Sequence, residues 1–278
     1  MREHAVMIDW LRFTVDVDAE RNDYLPPHDV FQTTGELLPS VPNYTENEAL
    51  LCARVDWNPA RPEQRIMVTM TGADLRRMRE HGLTDWYLLS YIADAPGINV
   101  TRMDLAVDTN DTRMSPAGLV EDWSTERFKT RARRIDEIKR KGADGEYAGH
   151  TVYIGSRESE QFLRVYDKAA EQGTAGHLTR VELELKQHKA WEALQHIVKN
   201  EPEGAILAAF QRFFRWSNAA WQDIIAGAST TVPALAAPEK NGRLEWIRKV
   251  ALPAVIDAYG ADDPIVVSQL RKLLDLPF

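Results

Sequence analysis

The chain has 278 residues, 44% of them hydrophobic and 27% charged, with a formal net charge of -8 at pH 7. That suffices for one large domain or two smaller ones around a sizeable core, and no apolar run approaches the length needed to span a bilayer. Cys52 is the single cysteine, which excludes an internal disulfide and a multi-cysteine zinc site; no charged-then-apolar leader opens the sequence, so a cytoplasmic protein without membrane contact is expected.

In chain order, Val6 to Val15 reads as an apolar strand, followed by a loop containing Pro26, Pro27, Gly35, Pro39 and Pro42. Two strands are expected at Leu50 to Trp57 and Arg65 to Thr71, then helices from Gly72 to His81 and from Asp85 to Ala93. A strand from Val100 to Asp108 follows. Ser115 and Pro116 look like an N-cap and first helical residue, opening a helix to Trp123. A basic strand, a glycine-containing turn at 142–149 and three further strands between Thr151 and Lys186 complete an antiparallel sheet. Helices are expected at Gln187 to Lys199 and Gly204 to Ala226, the latter with Phe210, Phe213, Phe214 and Trp216 as core. The predicted class is α+β: an antiparallel sheet packed on one face by helices, with an open catalytic face and a small C-terminal helical extension. The expected division is a domain at 1–228, a linker rich in Ala, Pro and Thr at 229–240, and helices at 241–278.

The strands between 151 and 186 carry their chemistry on alternate residues. Leu163 and Val165 fall on one face and Arg164, Tyr166 and Lys168 on the other; Val181, Leu183 and Leu185 oppose Arg180, Glu182, Glu184 and Lys186. Upstream, Arg102, Asp104 and Asp108 share the polar side of their strand. A solvated sheet face is the plain alternative. Carboxylates on two strands, with a tyrosine bracketed by arginine and lysine on another, instead match the needs of divalent-cation binding, phosphate contact and an oxygen nucleophile.

The acidic net charge sits awkwardly with nucleic-acid binding, but a surplus of positive charge lies between Arg127 and Lys141. Within it, Arg131, Arg133, Arg134, Lys139 and Arg140 are candidate backbone contacts, with a solvated basic surface as the alternative. The turn from Gly155 to Ser159 adds Ser156 and Arg157 as phosphate-binding candidates. Neither a Gly-x-x-x-x-Gly-Lys-Ser/Thr loop nor a Gly-x-Ser-x-Gly elbow occurs, and none of the seven histidines stands two positions from another. Carboxylates remain as cation ligands, which select magnesium, manganese or calcium.

Tyr166 is the expected nucleophile. A free phenol has a pKa of about 10, and the positive charges of Arg164 and Lys168 on the same strand face are expected to lower it. Tyr153 is the rival, and reads more simply as a cross-strand packing aromatic.

The segments Tyr153 to Ser159, Leu163 to Lys168 and Arg180 to Leu185, with Thr101 to Asp108 and Asp9 to Thr14 upstream, resemble the signatures of the replication initiation factor (Rep-trans) family. That family includes rolling-circle plasmid initiators and T-class conjugative relaxases. The resemblance implies a metal-dependent DNA strand transferase, similar to a type I topoisomerase in nicking and rejoining at a defined sequence. Tyr166 would form a 5′-phosphotyrosyl intermediate, assisted by Arg164 and Lys168. Mg²⁺ or Mn²⁺ would be held by Asp104, Glu182 and Glu184. The implied partners are single-stranded or hairpin origin DNA, a host helicase and a second copy of the chain. A non-catalytic sheet that binds single strands, and a metal nuclease that activates water, are the competing readings.

Overall fold

Two twelve-residue strands, β1 (His4–Val15) and β5 (Ile98–Thr109), pair antiparallel along the middle of the fold. Their inward residues Leu11, Phe13, Val100, Met103 and Leu105 are fully buried. Each such side chain removed from water contributes about 1.5–3 kcal/mol before the entropy of ordering it is counted. This computed structural model describes residues 4–16, 25–26, 28–61, 64–143 and 145–227. All belong to the unit Met1–Ala234. The linker and terminal helices expected at 229–240 and 241–278 lie outside the described residues.

Around that central pair stand β2 (Glu46–Ala49), β3 (Arg54–Trp57), β4 (Ile66–Met70), β7 (Ile135–Lys141), β8 (Tyr147–Ile154), β9 (Gln161–Asp167) and β10 (Thr179–Lys186). They form one nine-stranded sheet in the order β2, β3, β4, β1, β5, β10, β9, β8, β7, antiparallel at every junction. Alternation puts Val152, Ile154, Leu163, Val165, Val181 and Leu183 into the core.

The helices start where their capping residues allow. Thr71 and Asp74 form a reciprocal capping box on α1 (Gly72–Glu80), Thr84 caps α2 (Asp85–Asp94), and Ser115 caps α3 (Pro116–Ser124) with proline in the first turn. Further on, α5 (Gln187–Lys199) packs on β5 and β10, and α6 (Pro202–Phe213) on β1. Their apolar stripes, including Ala190, Leu194, Ile197, Ile206 and Phe210, complete the core on one face of the sheet.

Several boundaries differ from the sequence expectation. The strand expected from Leu50 begins at Arg54, because the Leu50 amide turns back onto the Ala53 carbonyl at 2.8 Å. The polar run 46–49 is a strand instead, held by pairing with β3. The basic stretch is two strands, β6 (Phe128–Thr130) and β7, rather than one. The single helix expected at 204–226 is interrupted by β11 (Phe214–Trp216), which pairs with β6, before α7 (Ala219–Gly227). Asn218 accepts hydrogen bonds from the Ala220 and Trp221 amides at 2.9 and 3.3 Å and so restarts the helix. The break is fixed by packing, since Phe214, Trp216 and Trp221 stack around Phe128 and Phe210.

Candidate active site

Because β10 lies between β9 and β5, each polar residue of β10 has a register partner on both sides. Arg180 stands between Tyr166 and Asp108, Glu182 between Arg164 and Ala106, and Glu184 between Phe162 and Asp104. The structure therefore brings Tyr166, Arg164, Asp104, Glu182 and Glu184 onto one face, within neighbouring positions of three strands.

This face is not a solvated one. Asp104 is 2% exposed, Glu182 3%, Arg180 6% and Tyr166 9%. Charges this buried persist only when paired, and each of these charges has a partner. Arg102 binds Asp104 at 2.6 Å and reaches Glu184 at 3.0 Å. Arg164 binds Glu182 and approaches Asp104 at 3.5 Å. Arg180 is held by Asp108 at 2.5 Å and by Asp9 at 2.7 Å. The Tyr166 hydroxyl closes the row by donating to Glu182 Oε2 at 3.1 Å.

Burial dominates the acid–base behaviour. It raises the pKa of Asp104 from its ordinary value, against the opposing pull of Arg102. It also raises that of Glu182, against Arg164. For Arg164, burial alone would lower the pKa, but Glu182 and Asp104 outweigh it and hold the guanidinium charged. The Tyr166 phenol is pushed up, first by burial and then by Glu182, with Arg180 pulling the other way. The lowering expected from Arg164 and Lys168 is therefore reversed: Arg164 is taken up by carboxylates, and Lys168 is not on the strand. Lys168 is the first residue of α4 (Lys168–Gln172), pairs with Glu171, and places its ammonium 5.5 Å from the centre of the Tyr166 ring.

Local structure explains why Tyr166 stands where it does. The next residue, Asp167, caps α4 by accepting from the Ala170 amide at 2.9 Å, and Gly173 ends that helix in the left-handed conformation (φ 64). Asp167 also accepts from the Tyr147 hydroxyl at 2.9 Å, and Tyr147 is pushed up to about 12 by burial and by that carboxylate. The tyrosine is thus fixed where the strand turns into a helix.

Sequence reasoning missed Asp9 as a member of the row. The pairing of β1 with β5 slips between Ile8 and Trp10, so Asp9 is an extra residue in a bulge and turns toward Arg180. Arg79 satisfies the Ile8 carbonyl at 2.7 Å. A lone acid inside the apolar run from Val6 to Val15 was the available signal.

Of the expected DNA contacts, Arg131, Arg133, Arg134 and Ser156 line one hollow and Arg157 adjoins it, while Lys139 and Arg140 lie farther along β7. Ser156 and Arg157 occupy the turn between β8 and β9, where Gly155 has φ 97 and Arg157 lies over the Tyr153 ring at 5.1 Å. Arg131 and Arg133 are exposed in the bend between β6 and β7, and Arg140 on β7 itself. Arg134 pairs with Asp136 at 2.6 Å and Lys139 with Glu137 at 2.9 Å, which reduces the local positive surplus. Among the described residues, no three His, Cys, Asp or Glu side chains stand together as a ready cation site, and no helix is long and apolar enough to cross a membrane.

Comparison with known proteins converges on one group. The putative DNA relaxase NicK of Bacillus subtilis (strain 168) is 24% identical over 300 residues, covering 96% of this chain and 84% of that protein. The rolling circle replication initiator protein from Geobacillus stearothermophilus shares the fold with a TM-score of 0.65 at 22% identity, over 80% of this chain and 96% of that one. Residues 98–244, which hold β5, β9 and β10 and thus most of the buried charged row, match the sequence pattern of the replication initiation factors, and the chain belongs to that family.

Proposed function

We propose that this protein nicks and rejoins single-stranded or hairpin DNA at a defined sequence by tyrosine transesterification, as a rolling-circle initiator or relaxase. The observation that carries the reading is the Tyr166 hydroxyl donating to Glu182 within a buried row of alternating charge. A carboxylate with a raised pKa is a stronger proton acceptor than an ordinary one, so Glu182 is suited to take the phenol proton. The phenol oxygen then bonds to phosphorus and the bond from phosphorus to the 3′ oxygen breaks. That oxygen leaves with the electron pair and takes up a proton, and a 5′-phosphotyrosyl link remains. Reversal by a 3′ hydroxyl reseals the strand without a nucleotide cofactor. Arg180, the cross-strand partner of Tyr166, and Arg164 would stabilise negative charge at the phosphate.

The donors are of the right chemistry for a divalent cation, although they do not stand together as a ready site and are held by arginines. Asp104, Glu182 and Glu184 are hard oxygen ligands at adjoining register positions, and positive charge already stands among them on Arg102 and Arg164. Mg²⁺ or Mn²⁺ held by Asp104, Glu182 and Glu184 would supply a Lewis acid for the phosphate. The working partner is origin DNA, with a host helicase and a second copy of the chain as further partners.

The test is a labelled single-stranded library of origin fragments incubated with the protein and Mn²⁺, then run on a denaturing gel. A labelled species that migrates with the protein, lost in Tyr166→Phe, is expected. Cleavage without any protein-linked strand would overturn the reading in favour of a water-activating nuclease.

A further inference from the structure

We infer that the stacked rings of Tyr153 and Phe162, with Arg157 beside them, form a base-binding subsite that seats one unpaired base next to the scissile phosphate. The inference rests on the nicking reading above. Both rings stand on the charged face of the sheet: Tyr153 is the register partner of Arg164, and Phe162 that of Glu184. Their centroids lie 5.6 Å apart at an interplanar angle of 14°. Phe162 is buried while Tyr153 is half-buried, so Tyr153 presents the accessible ring.

Tyr153 faces a cavity of about 580 Å³, shared with Arg134, Asp136, Ser156, Arg157 and Phe162. The composition of its rim decides what the cavity takes. Carboxylates of Asp136, Glu137 and Glu158 on this rim would repel a phosphate, whereas the Ser156 hydroxyl and the outer atoms of the Arg134–Asp136 pair offer both donors and acceptors to the mixed edge of a nucleobase. The Arg157 guanidinium already lies 5.1 Å from the Tyr153 centroid and 5.7 Å from that of Phe162, a planar cation occupying the place a base would take. Arg157 is exposed and its side chain is long, so it is able to swing from the ring to the backbone of an arriving strand. Arg164 lies two residues from Tyr166 on β9, roughly 7 Å along the strand. The subsite therefore serves a nucleotide flanking the cut and contributes to the choice of sequence.

The test compares binding of oligothymidine with binding of a base-free abasic oligomer of equal length, by fluorescence anisotropy. Wild-type protein is expected to prefer the oligomer with bases. Tyr153→Leu is expected to narrow that preference about tenfold, and Tyr153→Phe to retain it. A Tyr153→Leu protein with the wild-type preference overturns the subsite. Photocross-linking of unaltered protein to oligothymidine carrying 5-iodouracil tests the same point without a variant: attachment to the peptide containing Tyr153 supports it, and attachment only elsewhere overturns it. Wild-type protein that forms the covalent adduct yet fails these tests overturns the subsite alone, whereas wild-type protein that forms no adduct with the origin library and binds neither oligomer overturns the nicking reading as well.

Discussion

The Tyr166 hydroxyl donates to Glu182 Oε2 at 3.1 Å, while Glu182 Oε1 is held by Arg164. Tyr166 and Glu182 are diagonal neighbours on β9 and β10, close enough for long side chains to meet across the sheet. One carboxylate thus links the candidate nucleophile to the guanidinium beside it. Replacing Tyr166 with Phe should remove protein–DNA adduct formation by a factor on the order of 10³ or more, with unfolding free energy lowered by only about 1 kcal/mol. Adduct yield and urea denaturation measure the two effects separately.

The rate of adduct formation should rise with pH. The phenol's pKa is held above the ordinary value of about 10, first by burial and then by Glu182, so its deprotonated fraction grows tenfold per pH unit through the neutral and mildly alkaline range. That fraction stays small, so with Glu182 as proton acceptor the single-turnover rate should rise as the Glu182 carboxylate, whose own pKa is raised, loses its proton, and level off above that point. Linkage carries the corresponding sign for stability: the folded state holds the phenol proton more tightly than the unfolded chain, so stability falls as pH rises beyond about 10. A rate that keeps climbing tenfold per pH unit through the neutral and mildly alkaline range would mean that pre-formed phenolate, rather than proton transfer to Glu182, carries the reaction.

Removing Arg164 should leave Glu182 and Asp104 short of positive charge in a buried setting. Arg164→Met is expected to cost about 2–3 kcal/mol, discounted because the arginine side chain is 27% exposed. Adding Glu182→Gln to that variant should recover part of the loss, since the uncompensated charge goes with it. Additive losses in the double variant, measured by chemical denaturation, would show that the two residues do not act as a pair.

A methyl group at residue 72 should be harmful despite the better helix propensity of alanine. A Cβ on Gly72 would meet Asp9 Oδ1 at 2.6 Å and the Asp9 carbonyl oxygen at 3.1 Å. Asp9 is anchored by Arg180, so relief must come from moving the bulge or breaking that pair. Gly72→Ala should lose about 1–3 kcal/mol and slow adduct formation. Asp9→Ala in the same background should restore part of the stability, which thermal melting would detect.

Chelation tests the cation. EDTA should abolish adduct formation and added Mn²⁺ restore it, and Asp104→Asn should raise the Mn²⁺ concentration needed by about tenfold or more. Full activity in EDTA would remove the cation from the mechanism.

The alternation of apolar and polar residues from 162 to 186 was enough to separate core from charged face, because side chains in a strand have only two directions. The capping signal at Ser115 likewise placed a helix start by local hydrogen bonding alone. What depends on partners distant in the chain was not legible. The interruption at Phe214–Trp216 comes from pairing with Phe128–Thr130, and the strand at Glu46–Ala49 from pairing with Arg54–Trp57. The site divides in the same way. Sequence proposed Tyr166, Asp104 and Glu182 as its members, but only the tertiary register supplied Arg180 and Asp9 as neighbours and reversed the direction of the phenol's pKa. The reason is physical: a pKa and an ion pair depend on burial and on charges a few ångströms away, and antiparallel pairing of distant segments determines both.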